Sequence, residues 1–371
     1  MRYVQINSFY NGSTGTIMRN LHHDLQEKGV DSFIFWGRRH ETINNHEQCI
    51  ASRAGVYAHG GLARFTDRAG FYSHGDTRRF LAKLDEIRPD VVHLHNIHGY
   101  YINVAELFEW LATQNCKVIW TLHDCWAITG HCPHFQYVGC ERWKTGCHDC
   151  PQLGGYPTAY FMDQSERNWK DKRRLFTMLS AERMLLVSPS QWLADLVGES
   201  YLSKYDIMVQ PNKIDEGVFH PVASDVRERY GIGSRCIILG VASPWGERKG
   251  LNAFIQLAKY LDDRFAVVII GLSRQQIKVF DEVEGDARVI ALERTESREE
   301  LVRWYSAADF FFNPTMEDNY PTVNLEAEAC GTPVVTFDTG GCRETVSLPS
   351  SCVVDSSEWT PRWFINRLEG A

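Results

Sequence analysis

Two successive series of short apolar runs, separated by stretches of helical periodicity, constrain this 371-residue chain more than any other feature. In the first half, residues 3–7, 32–36, 91–95, 118–122 and 184–187 read as strands, with helical patterns at 16–28, 77–87, 101–114 and 164–179. In the second half the strands are 207–210, 236–241, 266–270, 288–291, 310–312 and 334–337, and helices fit 250–261, 274–282, 298–306 and 322–330. Strands that alternate with helices form parallel sheets covered on both faces. Two such series predict two doubly wound α/β domains, joined near residues 203–212, where Pro211-Asn212 closes a strand. Ligands of such sheets bind outside the carboxyl ends of the strands, so two of them facing each other would place an active site in the cleft between them.

The predicted division is residues 1–205, 206–355 and a C-terminal helix over 356–371. That helix is expected to return to the N-terminal half through Trp359, Trp363 and Phe364, with Thr360 as cap and Pro361 in its first turn. No stretch approaches the roughly 20 apolar residues that span a bilayer. The opening MRYVQI reads as a strand rather than a signal peptide, which points to the cytoplasm and to cysteines kept reduced. A net charge of −8 argues against a nucleic-acid partner. The charge is uneven: residues 1–205 carry 22 basic and 21 acidic side chains, residues 206–371 carry 17 and 26. The cluster Lys170-Asp171-Lys172-Arg173-Arg174 reads either as a solvated helix face or as a peripheral contact with an anionic membrane.

Three segments carry chemistry. The turn Asn11-Gly12-Ser13-Thr14-Gly15-Thr16 lies between the first strand and the first helix, where free backbone N–H groups suit an anion; an ordinary strand-to-helix turn reads the same way. The segment Pro244-Trp245-Gly246-Glu247-Arg248-Lys249-Gly250 puts two cations at a helix start, against the helix dipole. A bound diphosphate would explain them, as would simple exposure. The loop Asn313–Thr322 and the helix after it place Glu317, Asp318 and Asn319 near the amides of Thr322, Val323 and Asn324, with Glu326 one turn in; the alternative is an ordinary capped helix.

Residues 321–335, PTVNLEAEACGTPVV, resemble the donor-site signature of glycosyltransferase family 4, the retaining family with the GT-B fold. Pro211-Asn212-Lys213-Ile214-Asp215 with Phe219-His220-Pro221 resembles its interdomain segment, and Val187 to Leu193 the segment closing its first domain. Residues 120–126, WTLHDCW, and Gly130-His131-Cys132 resemble its bacterial surface-polysaccharide, colanic-acid-type branch. The resemblance implies two Rossmann-like domains facing each other across a cleft. It implies transfer from a nucleotide diphosphate sugar to a glycan or lipid-linked acceptor, in exopolysaccharide, capsule or lipopolysaccharide synthesis. Glu326 matches the glutamate on the nucleotide ribose, Lys249 the lysine on the diphosphate, and His123 the histidine beside the transferred sugar. Asp318, with Glu317 beside it, matches the first acidic position; Gly12 and Gly15 match the N-terminal glycine loop. Ser243 stands where the family has an arginine, a charge that Arg248 can supply.

The resemblance also implies front-face attack with retention, no divalent metal at the diphosphate, and no dedicated base, because the departing phosphate can take the acceptor proton. A non-catalytic nucleotide-sugar-binding subunit and a nucleotide-sugar epimerase are the competing readings. Residues 124–160 break the strand–helix rhythm and are rich in Cys, His and Gly. Cys132, Cys140, Cys147 and Cys150, the last two in a Cys-x-x-Cys pair, are expected either to hold a structural zinc or to stand as buried thiols.

Overall fold

The computed structural model describes residues 1–369, and the chain divides into two compact units, Met1–Pro211 and Asn212 onward. The first unit is built on a seven-stranded sheet: β1 (Arg2–Phe9), β2 (Asp31–Arg38), β3 (Glu47–Cys49), β4 (Val91–Leu94), β5 (Lys117–Thr121), β6 (Met184–Ser188) and β7 (Asp206–Val209). Their spatial order is 3-2-1-4-5-6-7, and every pairing is parallel. Its helices are α1 (Ser13–Glu27), α2 (Arg53–Thr66), α3 (His74–Ile87), α4 (Val104–Thr113), α5 (Ser165–Phe176) and α6 (Gln191–Gly198). The second unit has β8 (Cys236–Val241), β9 (Phe265–Ile270), β10 (Arg288–Leu292), β11 (Phe310–Asn313), β12 (Val334–Phe337) and β13 (Cys352–Val354) in the order 10-9-8-11-12-13, again all parallel. Its helices are α7 (Val226–Arg229), α8 (Leu251–Tyr260), α9 (Arg274–Asp281), α10 (Arg298–Ala307), α11 (Thr322–Ala329) and α12 (Arg362–Glu369).

The strand sequences explain the layering. On β9, Phe265, Val267 and Ile269 enter one apolar cluster while Ala266, Val268 and Ile270 enter another on the opposite face. A strand covered by helices on both sides must be apolar at every position, and β9 is (FAVVII). In β1, Val4 and Ile6 join the large core. The other face carries buried Gln5 and Asn7, whose side chains reach Met18 in α1 and the loop after β1. Each order reverses once, between β1 and β4 and between β8 and β11, and such a reversal opens a crevice at the strands' carboxyl ends.

Three expectations need correction. β7 pairs with β6, so the chain divides after Pro211, six residues later than residue 205; apolar pattern alone does not say which sheet a strand joins. Helix α12 does not spend its aromatics on the N-terminal half. Trp359 stacks on Phe312 at 5.0 Å, Phe364 meets Phe312 edge-on at 5.2 Å, and Trp363 packs on the same core beside Phe310. Each such ring pair is worth about 0.5–1.5 kcal/mol beyond its buried area. Helix α2, absent from the sequence-based expectation, is real: its Gly-rich sequence turns several apolar side chains outward.

Candidate active site

In the first unit, the turn after β1 opens α1. Gly12 sits at the N-cap with φ 87°, and neither a capping side chain nor an acidic residue covers the first turn. Gly15 is buried, and a Cβ there would lie 2.2 Å from the Tyr10 carbonyl oxygen, so no larger residue lets the helix start this close to the turn. Asn7 fastens the turn: its Nδ2 donates to the Phe9 carbonyl at 2.9 Å and to Thr14 Oγ1 at 3.2 Å, and its Oδ1 accepts from the Asn96 N–H beyond β4.

Across the crevice stands a row of histidines that sequence reasoning missed, except for His123. Gln5 donates from Nε2 to the Met18 carbonyl at 3.1 Å, which turns its Oε1 toward His95 Nε2 at 3.1 Å. His95 therefore carries its proton on Nε2 and accepts at Nδ1 from His123 Nε2, 3.1 Å away. This network assigns His123 Nδ1 as the nitrogen with the lone pair. Burial pushes His93 down to about 3 and His123 down to about 4, and holds His95 well below the ordinary histidine range, so all three are neutral near pH 7. His98 Nε2 lies 2.9 Å from Asp124 Oδ2, and its Nδ1 lies 3.1 Å from the Tyr156 hydroxyl. Burial raises Asp124, but the charge and hydrogen bond of His98 and the Trp126 N–H outweigh it and hold the carboxyl below the usual range. His95, His98, His123 and Asp124 line one recess at the ends of β4 and β5. The available signal was three histidines within six residues closing an apolar strand, His93, His95 and His98.

In the second unit the loops after β8 and β11 lock together. Trp245 anchors the first through Nε1–H to the Ile270 carbonyl at 2.8 Å. Arg248 donates to the Glu317 carbonyl at 2.6 Å, and its own carbonyl accepts from the Met316 N–H at 2.7 Å. Gly250, at φ 76°, caps α8; a Cβ there would lie 2.1 Å from the Pro314 carbonyl oxygen. Lys249 forms an ion pair with Asp318. Glu317 is fully buried, whereas Asp318 faces the lysine. The Gly341 N–H donates to the Asp318 carbonyl at 2.9 Å, a contact with no counterpart in the sequence reading.

Helix α11 begins after Pro321 with no side-chain cap and no acidic residue in its first turn. Thr322 and Val323 open it, half-buried. The Asn324 side chain is turned inward. Its Oδ1 accepts from Asn313, its Nδ2 donates to Thr345, and its N–H is spent on the Pro321 carbonyl. Asn319 is buried beside Asp318. Glu326 accepts the Tyr305 hydroxyl at 3.1 Å, and burial pushes its carboxyl up. Glu328, in the same helix, accepts from the Ser347 and Leu348 N–H groups and the Ser351 hydroxyl, and so holds a loop.

The four cysteines of the insertion lie near one another. Among the described residues, no group of three or more His, Cys, Asp and Glu is arranged to hold a metal ion. Cys132, Cys140, Cys147 and Cys150 are in no disulfide. Cys132 hydrogen-bonds Cys150, which holds Cys150 below the ordinary thiol range, and Cys147 Sγ accepts the Gly130 N–H at 3.1 Å. Core packing orders the insertion. Trp126, Phe135 and Trp143 are buried in the main core, Asp67 pairs with His131, and the buried Lys172 ammonium donates to the Trp126 and Thr129 carbonyls at 2.9 and 3.1 Å.

Residues 14–217 match the family profile described as Glycosyltransferase Family 4, and residues 235–360 the profile Glycosyl transferases group 1. The chain is 26% identical to a putative colanic acid biosynthesis glycosyl transferase (WcaC) of Escherichia coli K12, over 94% of this chain and 85% of the relative. It is 27% identical to a D-inositol 3-phosphate glycosyltransferase of Corynebacterium jeikeium, over 73% of this chain and 64% of the relative. Among solved structures it resembles a sucrose-phosphate synthase of Thermosynechococcus elongatus, with TM-score 0.69 at 14% identity, covering 100% of this chain and 89% of the other. It also resembles Anabaena HepE in complex with UDP-glucose, with TM-score 0.60 at 13% identity and the same coverage.

Proposed function

Because the chain belongs to glycosyltransferase family 4 and has the GT-B fold of two Rossmann-like domains, we propose that it carries its donor and acceptor at two separate switch points. The β8/β11 crevice holds a nucleotide diphosphate sugar, and the β1/β4 crevice receives the acceptor. One observation carries this reading: Lys249, Asp318, the uncapped start of α11 and Glu326 all belong to the loops and helix at one switch point. An uncapped helix start and a cation suit a diphosphate, and a carboxylate one turn into that helix suits ribose hydroxyls. That a fold neighbour was solved with UDP-glucose supports a nucleotide sugar as donor. The similarity to a colanic acid biosynthesis relative supports a surface polysaccharide or its lipid-linked precursor as acceptor, on a protein lying peripherally against the membrane from the cytoplasmic side.

The chemistry follows from these groups. The bond between the sugar's anomeric carbon and the β-phosphate oxygen breaks, and an acceptor oxygen bonds to the same carbon on the same face. The acceptor proton goes to the departing phosphate, so no side chain need act as base. Charge grows on the phosphate as the bond breaks, and a preplaced cation is most effective there. Lys249 meets it once Asp318 turns from the lysine to the sugar hydroxyls. Arg248 adds positive charge and, through the Glu317 carbonyl, sets the acidic loop. Thr322 and Val323 present the first amides of α11, while Asn324 braces the helix from within. His123, neutral and with Nδ1 as acceptor, takes a hydroxyl of the transferred sugar, and the glycine turn of Gly12 and Gly15 borders the acceptor. A panel of nucleotide sugars tested by thermal shift checks the donor assignment, since a ligand bound to the native state raises its stability. One nucleotide series should raise the midpoint in wild type and not in Lys249→Met; a panel without effect contradicts the reading.

A further inference from the structure

Exposed large apolar side chains cluster on one part of the first unit. Along α2, Tyr57, Leu62 and Phe65 are exposed, and so are Tyr160, Phe161 and Met162 in the loop before α5. Tyr57 is 80% exposed and Phe161 69%. The two segments are joined: the Tyr160 N–H donates to the Arg64 carbonyl at 2.9 Å, and the Phe65 and Phe161 rings stack at 4.6 Å and 12°. Two stacked rings left in water beside further apolar neighbours form a contiguous patch, and such patches mark a contact surface.

The surroundings are basic. Residues 50–66 and 154–162 contain no acidic side chain and carry Arg64 and Arg53, the latter paired with Glu41; the exposed Asp163 borders the loop. The patch is also tied to α5. Asp67, which caps the end of α2, accepts the Gln164 N–H at 2.9 Å, and Arg68 bridges to Asp171 at 2.7 Å. From α5, Arg167, Lys170, Arg173 and Arg174 are exposed, and only Glu166 and the half-exposed Asp171 offset them.

We propose that this surface, α2 with the 160–162 loop and the basic face of α5, docks the protein on an anionic phospholipid bilayer. Aromatic rings enter the headgroup boundary, and arginine and lysine side chains meet the lipid phosphates. A second copy of the chain is a poorer occupant, because pairing this patch with itself would bring two basic helices together. The proposal rests on the peripheral-membrane reading above and names the surface that performs it.

The test is co-sedimentation of the full chain with vesicles of phosphatidylcholine alone and with added phosphatidylglycerol. Wild type should partition onto the phosphatidylglycerol vesicles and weakly onto the neutral ones. The double variant Phe65→Ser/Phe161→Ser should lose about tenfold or more on both, and Arg173→Glu/Arg174→Glu should lose only the phosphatidylglycerol-dependent part. Both variants should keep the wild-type melting temperature and release of nucleoside diphosphate from the donor. Wild-type partitioning by the Phe variant overturns the proposal, and so does a wild-type dimer that this variant splits. If wild type turns over donor but binds no vesicle, the docking surface and the membrane reading fail while the transferase reading stands.

Discussion

His123 is set by its neighbours as much as by its own chemistry. Gln5 and His95 direct its proton to Nε2, and burial keeps the ring neutral. On the proposed reading, replacing it with alanine removes a hydroxyl partner from the reacting sugar and should lower turnover by about a hundredfold, while donor affinity, assigned to the second unit, stays within about threefold; equal losses in both would contradict the division of labour. The buried histidines also predict a pH response. Unfolded, they titrate near 6.5; folded, His59 and His93 lie at about 3 and His95 is also held well below its ordinary range, all through burial. Between those values the unfolded chain binds more protons, so stability falls as pH drops from about 6.5 toward 4, by up to about 1.4 kcal/mol per histidine per pH unit. Denaturant unfolding at successive pH values reads this directly, and a flat profile down to pH 4.5 would refute it. The sequence identified His123 because a family motif contains it. His95, His98 and Asp124 were hidden, because a histidine ending an apolar strand looks the same whether it fills a core or faces a ligand.

Among the elements, the two loops of the second unit behave as one. Gly250 takes a positive φ and packs its α-carbon against the Pro314 carbonyl, which brings Arg248 and Lys249 onto the acidic loop. Gly250→Val should therefore destabilise by about 1–3 kcal/mol through backbone strain and weaken donor binding beyond what lost stability explains. Unchanged binding of the nucleoside diphosphate, measured by calorimetry well below the melting point, would show that the loops do not depend on this contact. Most strands were readable, since β8 and β9 are continuous apolar runs and only a doubly covered strand needs that. Three elements misled for separate reasons. Helix α2 carries its apolar side chains outward, the reverse of the amphipathic signal. β7 is a mostly exposed edge strand whose sheet is settled by pairing with β6. The aromatics around α12 announce burial but not their partner, which is the ring of Phe312. The cysteine spacing suggested a metal. Around those cysteines, buried tryptophans and the Lys172 side chain order the insertion.

At the scale of the whole molecule, two parallel sheets each reverse strand order once, and the signature residues fall at those reversals. This was foreseeable, because the alternation of strands and helices sets the architecture and the architecture sets where ligands bind. What pattern could not supply was the state of each group: Asp318 paired with Lys249, Glu317 buried, Asn324 turned inward. On the proposed reading, Lys249 and Glu326 hold the donor while contributing little to the fold. The Lys249–Asp318 pair is partly exposed, so its loss should cost about 1 kcal/mol or less. The most direct measurement is the rate of nucleoside diphosphate release from the cognate nucleotide sugar, with acceptor present, by wild type, Lys249→Met and Glu326→Ala. Losses of about a hundredfold or more are expected for Lys249→Met and a clear loss for Glu326→Ala, with melting temperatures close to wild type. Near-wild-type release by both folded variants would contradict that reading.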